Sequence, residues 1–305
     1  MSSQKTAIVT GASGLLGRAV YKEFEKSYKV VGTGLTRAQP PLVKLDLLDH
    51  EAVASLIEQE QPSVVIHCAA ERRPDVSEKQ QEYTEKLNVK ATRKLAEAAA
   101  KSASKPLVIY ISTDYVFDGQ NAPYEVDDKT NPTNWYGHTK LNGELAILES
   151  PNTIALRIPV LYGAGENSES SINTLVDAVW NKAGKKDVQM DHWAARFPTN
   201  VEDVAHVLKD LAQKYSTEES RKDQPRVFQF SADQKYTKYE ICQIFGDILG
   251  LPIDHLIAQD TVEQTPGVIR PRDCKLSTKT LQDAGISVDH VDFKQWWQRR
   301  LTANK

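Results

Sequence analysis

Short runs of β-branched and apolar residues alternate along this chain with stretches that place apolar residues every three or four positions. The runs Thr6–Thr10, Lys29–Gly32, Leu42–Lys44, Ser63–His67, Leu107–Ser112, Thr153–Ile158 and Val227–Phe230 read as strands. Between them, Gly14–Lys26, Ala52–Glu58, Glu82–Lys101 and Tyr136–Glu149 carry the helical period. Strand–helix alternation predicts parallel βαβ units with right-handed crossovers. Several strands are apolar on both faces, as in a sheet covered on both sides. The expected fold is therefore α/β, a Rossmann-like doubly wound parallel sheet with a smaller C-terminal lobe of the substrate-binding type.

The pattern loosens after about residue 165. Residues 166–198 are polar and loop-rich, 216–225 read as an exposed connection, and a helix capped by Thr237 resumes at Tyr239. The expected division is a Rossmann body of residues 1–165 and 199–223, and a lobe of 166–198 and 224–305. Near the C-terminus, Phe293, Trp296, Trp297 and Leu301 form one helical stripe, expected to pack on the lobe. Two adjacent tryptophans point about 100° apart, so one of them is a candidate anchor for a partner.

Composition narrows the function. The net charge of −3 over 305 residues leaves no electrostatic footprint for nucleic acid or an anionic membrane. Cys68, Cys242 and Cys274 are too scattered for a metal site or a disulfide framework, which suggests a reducing compartment. The chain enters a strand almost at once, without a leader segment, and no apolar run approaches the ~18 residues of a membrane span. The cytosol is the expected location, with the nucleus also open to it.

Two motifs carry candidate chemistry. Thr10-Gly11-Ala12-Ser13-Gly14-Leu15-Leu16-Gly17 is a G-x-x-G-x-x-G loop between the first strand and helix. Gly11 allows the tight turn, Gly14 the approach of a pyrophosphate, and Gly17 close packing of helix on sheet. A site for NAD usually places an acid about 20 residues further on. Here Gly32–Ala38 has none and carries Arg37, which suits a 2′-phosphate, so NADP is the expected cofactor. Tyr136 and Lys140 form a Y-x-x-x-K pair on one helical face, where the ammonium should lower the phenol's pKa for proton exchange. Upstream, Ser112 and Thr113 end a strand, and a hydroxyl there can orient a substrate oxygen. His67 reads as a core histidine, Arg72 and Arg73 as flanking the cofactor cleft, and Lys182, Lys185 and Lys186 as a solvated loop. Arg196–Thr199 with Asp203 reads as architectural. Arg270-Pro271-Arg272 reads as either an anion grip or a surface turn.

Taken together, these motifs resemble the extended short-chain dehydrogenase/reductases. Ser112–Gly119 and Tyr136–Leu141 are similar to the dTDP-4-dehydrorhamnose reductase branch. Within it, Ala70–Val76, Arg157–Gly163, Met190–Trp193 and Arg196–Thr199 resemble the regulatory β subunits of methionine adenosyltransferase. That resemblance implies an NADP-binding partner of the catalytic adenosyltransferase subunit that modulates S-adenosylmethionine synthesis; from the residues themselves, no metal is expected. The resemblance also implies site roles. Ser13, Gly14, Leu15 and Leu16 would meet the diphosphate, and Thr36, Arg37 and Ala38 the 2′-phosphate. Asp46 and Leu47 would flank the adenine, and Cys68 and Arg72 would line the cleft. Tyr136, Lys140 and Leu161 would meet the nicotinamide half. The alternative is an active NADPH-dependent reductase of a dTDP-4-keto-6-deoxysugar or similar carbonyl compound, with Thr113, Tyr136 and Lys140 catalytic. Val160 stands where the sugar reductases typically carry a tryptophan, which weakens that alternative. The segment after the C-terminal stripe is shorter than the partner-binding tail of the β subunits.

Overall fold

The computed structural model describes residues 4–180, 187–261 and 268–303. Its first half runs β1 (Thr6–Thr10), α1 (Leu15–Phe24), β2 (Lys29–Gly34), β3 (Val43–Lys44), α2 (His50–Glu60), β4 (Val64–His67), α3 (Pro74–Lys79), α4 (Gln81–Glu85), a π turn (Lys86–Lys90), α5 (Ala91–Lys101), β5 (Leu107–Thr113) and α6 (Trp135–Leu148). The second half runs β6 (Thr153–Ile158), β7 (Leu161–Tyr162), α7 (Leu175–Trp180), β8 (Val188–Asp191), β9 (Thr199–Asn200), α8 (Val201–Lys214), α9 (Glu218–Arg221), β10 (Val227–Gln229), α10 (Lys238–Leu249), β11 (Leu256–Gln259), α11 (Lys279–Asp283) and α12 (Phe293–Thr302).

Seven strands form one parallel sheet in the order β10-β6-β5-β4-β1-β2-β3. Alternate residues of each strand feed opposite cores. Ala7, Val9, Val64, Ile66, Leu107 and Ile109 pack with α1 and α8, while Ile8, Val65, Val108 and Tyr110 pack with α2 and α5. The strand order reverses direction between β1 and β4, and the crevice for a ligand lies beyond the carboxyl ends of those strands.

The expectation put residue 224 at the start of the lobe. β10 nevertheless pairs with β6, Val227 opposite Ala155, so this strand belongs to the main sheet. A third core joins β7, α7, β8, α10, β11 and α12 around Tyr162, Phe245, Phe293 and Trp297. Residues 166–198, read as loop-rich, supply α7 and β8 to it, and β8 pairs in parallel with β11. Thr237 caps α10 by accepting from Glu240 N at 3.2 Å. In α12, Phe293 and Trp297 are buried, and Trp296 packs edge-on against Tyr162 with centroids 5.1 Å apart. The aromatic stripe is thus spent on the lobe, and the exposed face of α12 is polar: Lys294, Gln295, Gln298, Arg299 and Arg300. Among the described residues, no helix is long and apolar enough to cross a membrane.

Candidate functional site

The glycine loop leaves β1 through Gly11, whose φ of 67° places it in the left-handed region. A Cβ at Gly17 would stand 2.1 Å from Gly11 O, so only glycine lets α1 lie this close to the loop. Gly14 is the N-cap of α1 and offers no side chain to its first amides, and the first turn holds no acid. The helix start therefore keeps unsatisfied N–H donors and its positive dipole end for an anion. Ser13 and Leu15 line this loop half-buried, while Leu16 turns into the core between sheet and α1.

Thr36, Arg37 and Ala38 follow β2 at the sheet's carboxyl edge, and the Arg37 side chain is 57% exposed. One acid does reach it, from 132 residues away: Arg37 Nη1 donates to Glu169 Oε1 at 2.5 Å. Arg18 of α1 forks onto the same carboxylate at 2.9 and 2.6 Å and bonds Ser13 O at 2.8 Å. The Arg18 hydrogen bonds hold the buried Glu169 carboxyl far below the usual range, at about 2. Neither Arg18 nor Glu169 was visible as a site residue in the sequence. Asp46 is exposed and accepts from Leu48 N, whereas the Leu47 side chain is buried with Val31 and Val53. Only the backbone of Leu47 is left to face a base.

At the far end of the crevice, β5 delivers Thr113 and α6 delivers Tyr136 and Lys140. The Thr113 hydroxyl donates to Asp114 Oδ1 at 3.0 Å and stands beside the Tyr136 phenol. Burial lifts the Asp114 carboxyl to about 7. Lys140 does share the helical face, but its ammonium donates to Ile111 O at 2.6 Å and lies 4.0 Å above the Tyr110 ring. The expected lowering of the phenol is therefore reversed here. Burial raises Tyr136 well above its ordinary value, and burial lowers Lys140 to about 7.

Cys68 follows β4 half-buried, and burial pushes its thiol up to about 12, which keeps it protonated. His67 is enclosed in the core. Thr92 donates its hydroxyl to Asn88 O, so His67 Nε2 must donate to Thr92 Oγ1 at 3.0 Å, while Nδ1 accepts from Thr10 at 2.7 Å. Burial drops this imidazole to about 3, fixing it neutral.

The two neighbouring arginines separate in role. Arg73 is tied to Glu71 through Nε and Nη2, at 2.9 and 2.7 Å. Arg72 stays exposed, in the neighbourhood of Tyr136 and Arg37. Asn88, in the π turn, clamps both backbone groups of Glu71 at 2.9 and 3.0 Å and holds this loop in place. Leu161 lies half-buried in β7. Arg196 bonds Asp191 at 2.6 Å, and Arg270 bonds Asp75 at 2.8 Å, so both cations are engaged within the chain. Lys182, Lys185 and Lys186 lie outside the described residues. Among the described residues, no three His, Cys, Asp or Glu side chains gather as a metal site.

Residues 5–302 match the RmlD substrate binding domain family. The methionine adenosyltransferase 2 subunit beta of Rattus norvegicus is 46% identical over 285 residues, covering 92% of this chain and 83% of that protein. Its Danio rerio counterpart is 42% identical over 293 residues, covering 95% and 88%. This chain belongs to the methionine adenosyltransferase 2 subunit beta family. Among solved structures, a dTDP-4-dehydrorhamnose reductase from Clostridium acetobutylicum superposes with a TM-score of 0.83 at 25% identity, covering 98% of this chain and 99% of that one. The same enzyme of Bacillus anthracis, in complex with NADP, gives 0.81 at 20% identity, covering 99% of each chain. The latter likeness is one of fold. This chain thus has the architecture of the reductases, with its own glycine loop and Tyr136–Lys140 pair set on it.

Proposed function

We propose that this chain is an NADP-binding regulatory subunit that associates with a methionine adenosyltransferase catalytic subunit and modulates S-adenosylmethionine synthesis. The observation that carries this reading is the 46% identity, over 92% of the chain, to a protein named as a subunit beta. The crevice supports the cofactor half. An uncapped helix start behind a glycine turn suits a diphosphate, and Arg37 suits a 2′-phosphate that no acid of its own loop would repel. The body, residues 1–165 and 199–223 together with β10, holds the cofactor, and the remainder forms the lobe.

The residues assigned to the cofactor have separable tasks. The Gly11–Gly17 loop holds the diphosphate: Gly14, its own amide bonded to Gly11 O at 2.9 Å, lets it approach closely, and Ser13, Leu15 and Leu16 give it their amides. Thr36, Arg37 and Ala38 receive the 2′-phosphate, and Asp46 and the Leu47 backbone border the base. Cys68, Arg72, Tyr136, Lys140 and Leu161 surround the nicotinamide half. When bound, the nicotinamide supplies hydride chemistry. Of this chain's own groups, Tyr136 with Thr113 and Asp114 can hold a proton where a carbonyl would sit. That juxtaposition favours a second reading, an NADPH-dependent carbonyl reductase, against which Val160 and the raised Tyr136 phenol weigh. We place the protein in the cytosol, consistent with three free cysteines.

Co-expression with the catalytic subunit followed by gel filtration tests the reading. The expected result is one co-eluting species, and separate elution at micromolar concentrations removes the regulatory function. NADPH absorbance followed with a dTDP-4-keto sugar tests the second reading, for which turnover abolished by Tyr136→Phe is the decisive result.

A further inference from the structure

The end of β2 lacks the acid that commonly accepts a ribose 2′-hydroxyl, yet the fold brings one to the same place. Glu169 closes a single 3-10 turn, Asn167–Glu169, in the segment that follows β7. This segment is stapled to itself: Ser170 Oγ bonds Leu161 O at 2.5 Å, and Asn173 Nδ2 bonds Gly163 O at 2.9 Å. It also packs tightly on the phosphate loop. A Cβ at Gly165 would meet Glu169 Oε2 at 2.5 Å, Arg18 Nη2 at 2.6 Å and Leu15 Cδ1 at 3.0 Å. Glu169 is thus pinned, 8% exposed, between α1 and the loop after β2.

We infer that Glu169 is a selectivity-determining residue of the cofactor site, an internal carboxylate that competes with the 2′-phosphate for Arg37. The inference rests on the assignment of Arg37 to that phosphate. The two arginines are held unequally. Arg18 makes a two-pronged bond to Glu169 and a third bond to Ser13 O. Arg37 makes one bond, from an exposed side chain on a loop. A phosphate monoester near neutral pH carries up to two negative charges and three acceptor oxygens. It outbids a carboxylate oxygen already shared with Arg18, and Arg37 swings to it while Arg18 stays. A cofactor with a free 2′-hydroxyl cannot draw Arg37 away, and it leaves a carboxylate nearby as an acceptor. Glu169 therefore works against NADPH and not against NADH, narrowing a preference that Arg37 alone would make steeper.

The test is calorimetric titration of the full chain with NADPH and with NADH. Glu169→Gln removes the charge. Glu169→Asp keeps the charge but draws the carboxylate back by one methylene, which the single Arg37 bond withstands less well than the two-pronged Arg18 pair, so it is the safer variant for folding. The expected result is NADPH binding tightened about three- to ten-fold in both variants, the weight of one partly exposed charge-assisted hydrogen bond, with NADH unchanged or weakened. In an Arg37→Ala background, Glu169→Gln should shift neither cofactor relative to the other. Weaker NADPH binding in Glu169→Gln and Glu169→Asp, at unchanged NADH binding, would mean that Glu169 orients Arg37, and would overturn the inference. So would equal shifts for both cofactors. Failure of the underlying assignment looks different: Arg37→Ala alone would then leave NADPH affinity as it is in the parent.

Discussion

Two glycines of one loop should fail in different ways when each gains a methyl group. At Gly17 the new carbon would lie 2.1 Å from Gly11 O, 2.7 Å from Gly11 C and 2.8 Å from Ala12 Cα. All three are backbone atoms, and none can rotate aside. Restoring ordinary contact needs the start of α1 to move off the loop by about 1 Å or more. Overpacking of this kind costs about 3 kcal/mol, and alanine's better helix propensity returns up to about 1 kcal/mol. The net loss of about 2 kcal/mol corresponds to a fall in melting temperature of roughly 4–8 °C. At Gly14, φ is −83° and the methyl meets only Gly11 O, at 3.2 Å. The fold can yield by a few tenths of an ångström, so Gly14→Ala should melt within about 2 °C of the parent. The same methyl stands over the uncapped amides assigned to the diphosphate, so NADPH affinity should fall at least about ten-fold, about 1.4 kcal/mol. Differential scanning fluorimetry with and without NADPH, followed by calorimetry, separates the two effects. If Gly14→Ala binds NADPH as the parent does, the diphosphate does not sit on this loop. If Gly17→Ala melts unchanged, the packing argument is wrong.

Arg157→Met should destabilise by about 3–5 kcal/mol, because it strands the Glu144 carboxylate that Arg157 forks at 2.6 and 3.1 Å in the core. Arg157→Met with Glu144→Leu should recover much of that loss in urea denaturation, and equal losses for single and double variants would contradict it. His67 is held neutral with its folded pKa lowered to about 3, so only the unfolded chain takes up its proton between about 6.5 and 3. Its contribution is thus present above about pH 6.5 and is lost as pH falls toward 3. The stability gap between the parent and His67→Asn should narrow over that window, and a constant gap would refute the neutral assignment. Trp297→Ala should cost about 3–5 kcal/mol and loosen the lobe, whereas Arg299→Glu with Arg300→Glu should leave the melting temperature within about 2 °C. Deletion of residues 291–305 is for the same reason a test of folding, not of partner binding.

Local pattern exposed much of this architecture. Strands such as Leu107–Thr113 are apolar throughout because both faces are covered, and their β-branched runs mark them. The glycine loop and the Tyr136–Lys140 spacing were equally readable, since each is a short-range arrangement. Direction was not. That Lys140 bonds Ile111 O depends on how deeply α6 sits against β5. The helix read as Glu82–Lys101 is interrupted by a π turn, which aims Asn88 at the Glu71 backbone. The bonds of Asn88 to the Glu71 backbone and to Thr139 Oγ1 explain an asparagine on the buried side. Residues 166–198 read as loop because α7 and β8 are too short to establish a period. Glu169 left no signal at all: it lies in a polar stretch, 132 residues from Arg37 and 151 from Arg18. Closing the lobe onto the phosphate loop is what makes it part of the site.

The central claim is that this chain acts on another enzyme's output. The most direct measurement is the initial rate of S-adenosylmethionine formation by a methionine adenosyltransferase catalytic subunit at fixed concentration, with this chain added stepwise in the presence of NADPH. The account predicts a rate that changes with each addition and levels off at a fixed ratio of the two proteins. A rate that stays flat to a large excess of a chain still able to bind NADPH would contradict it.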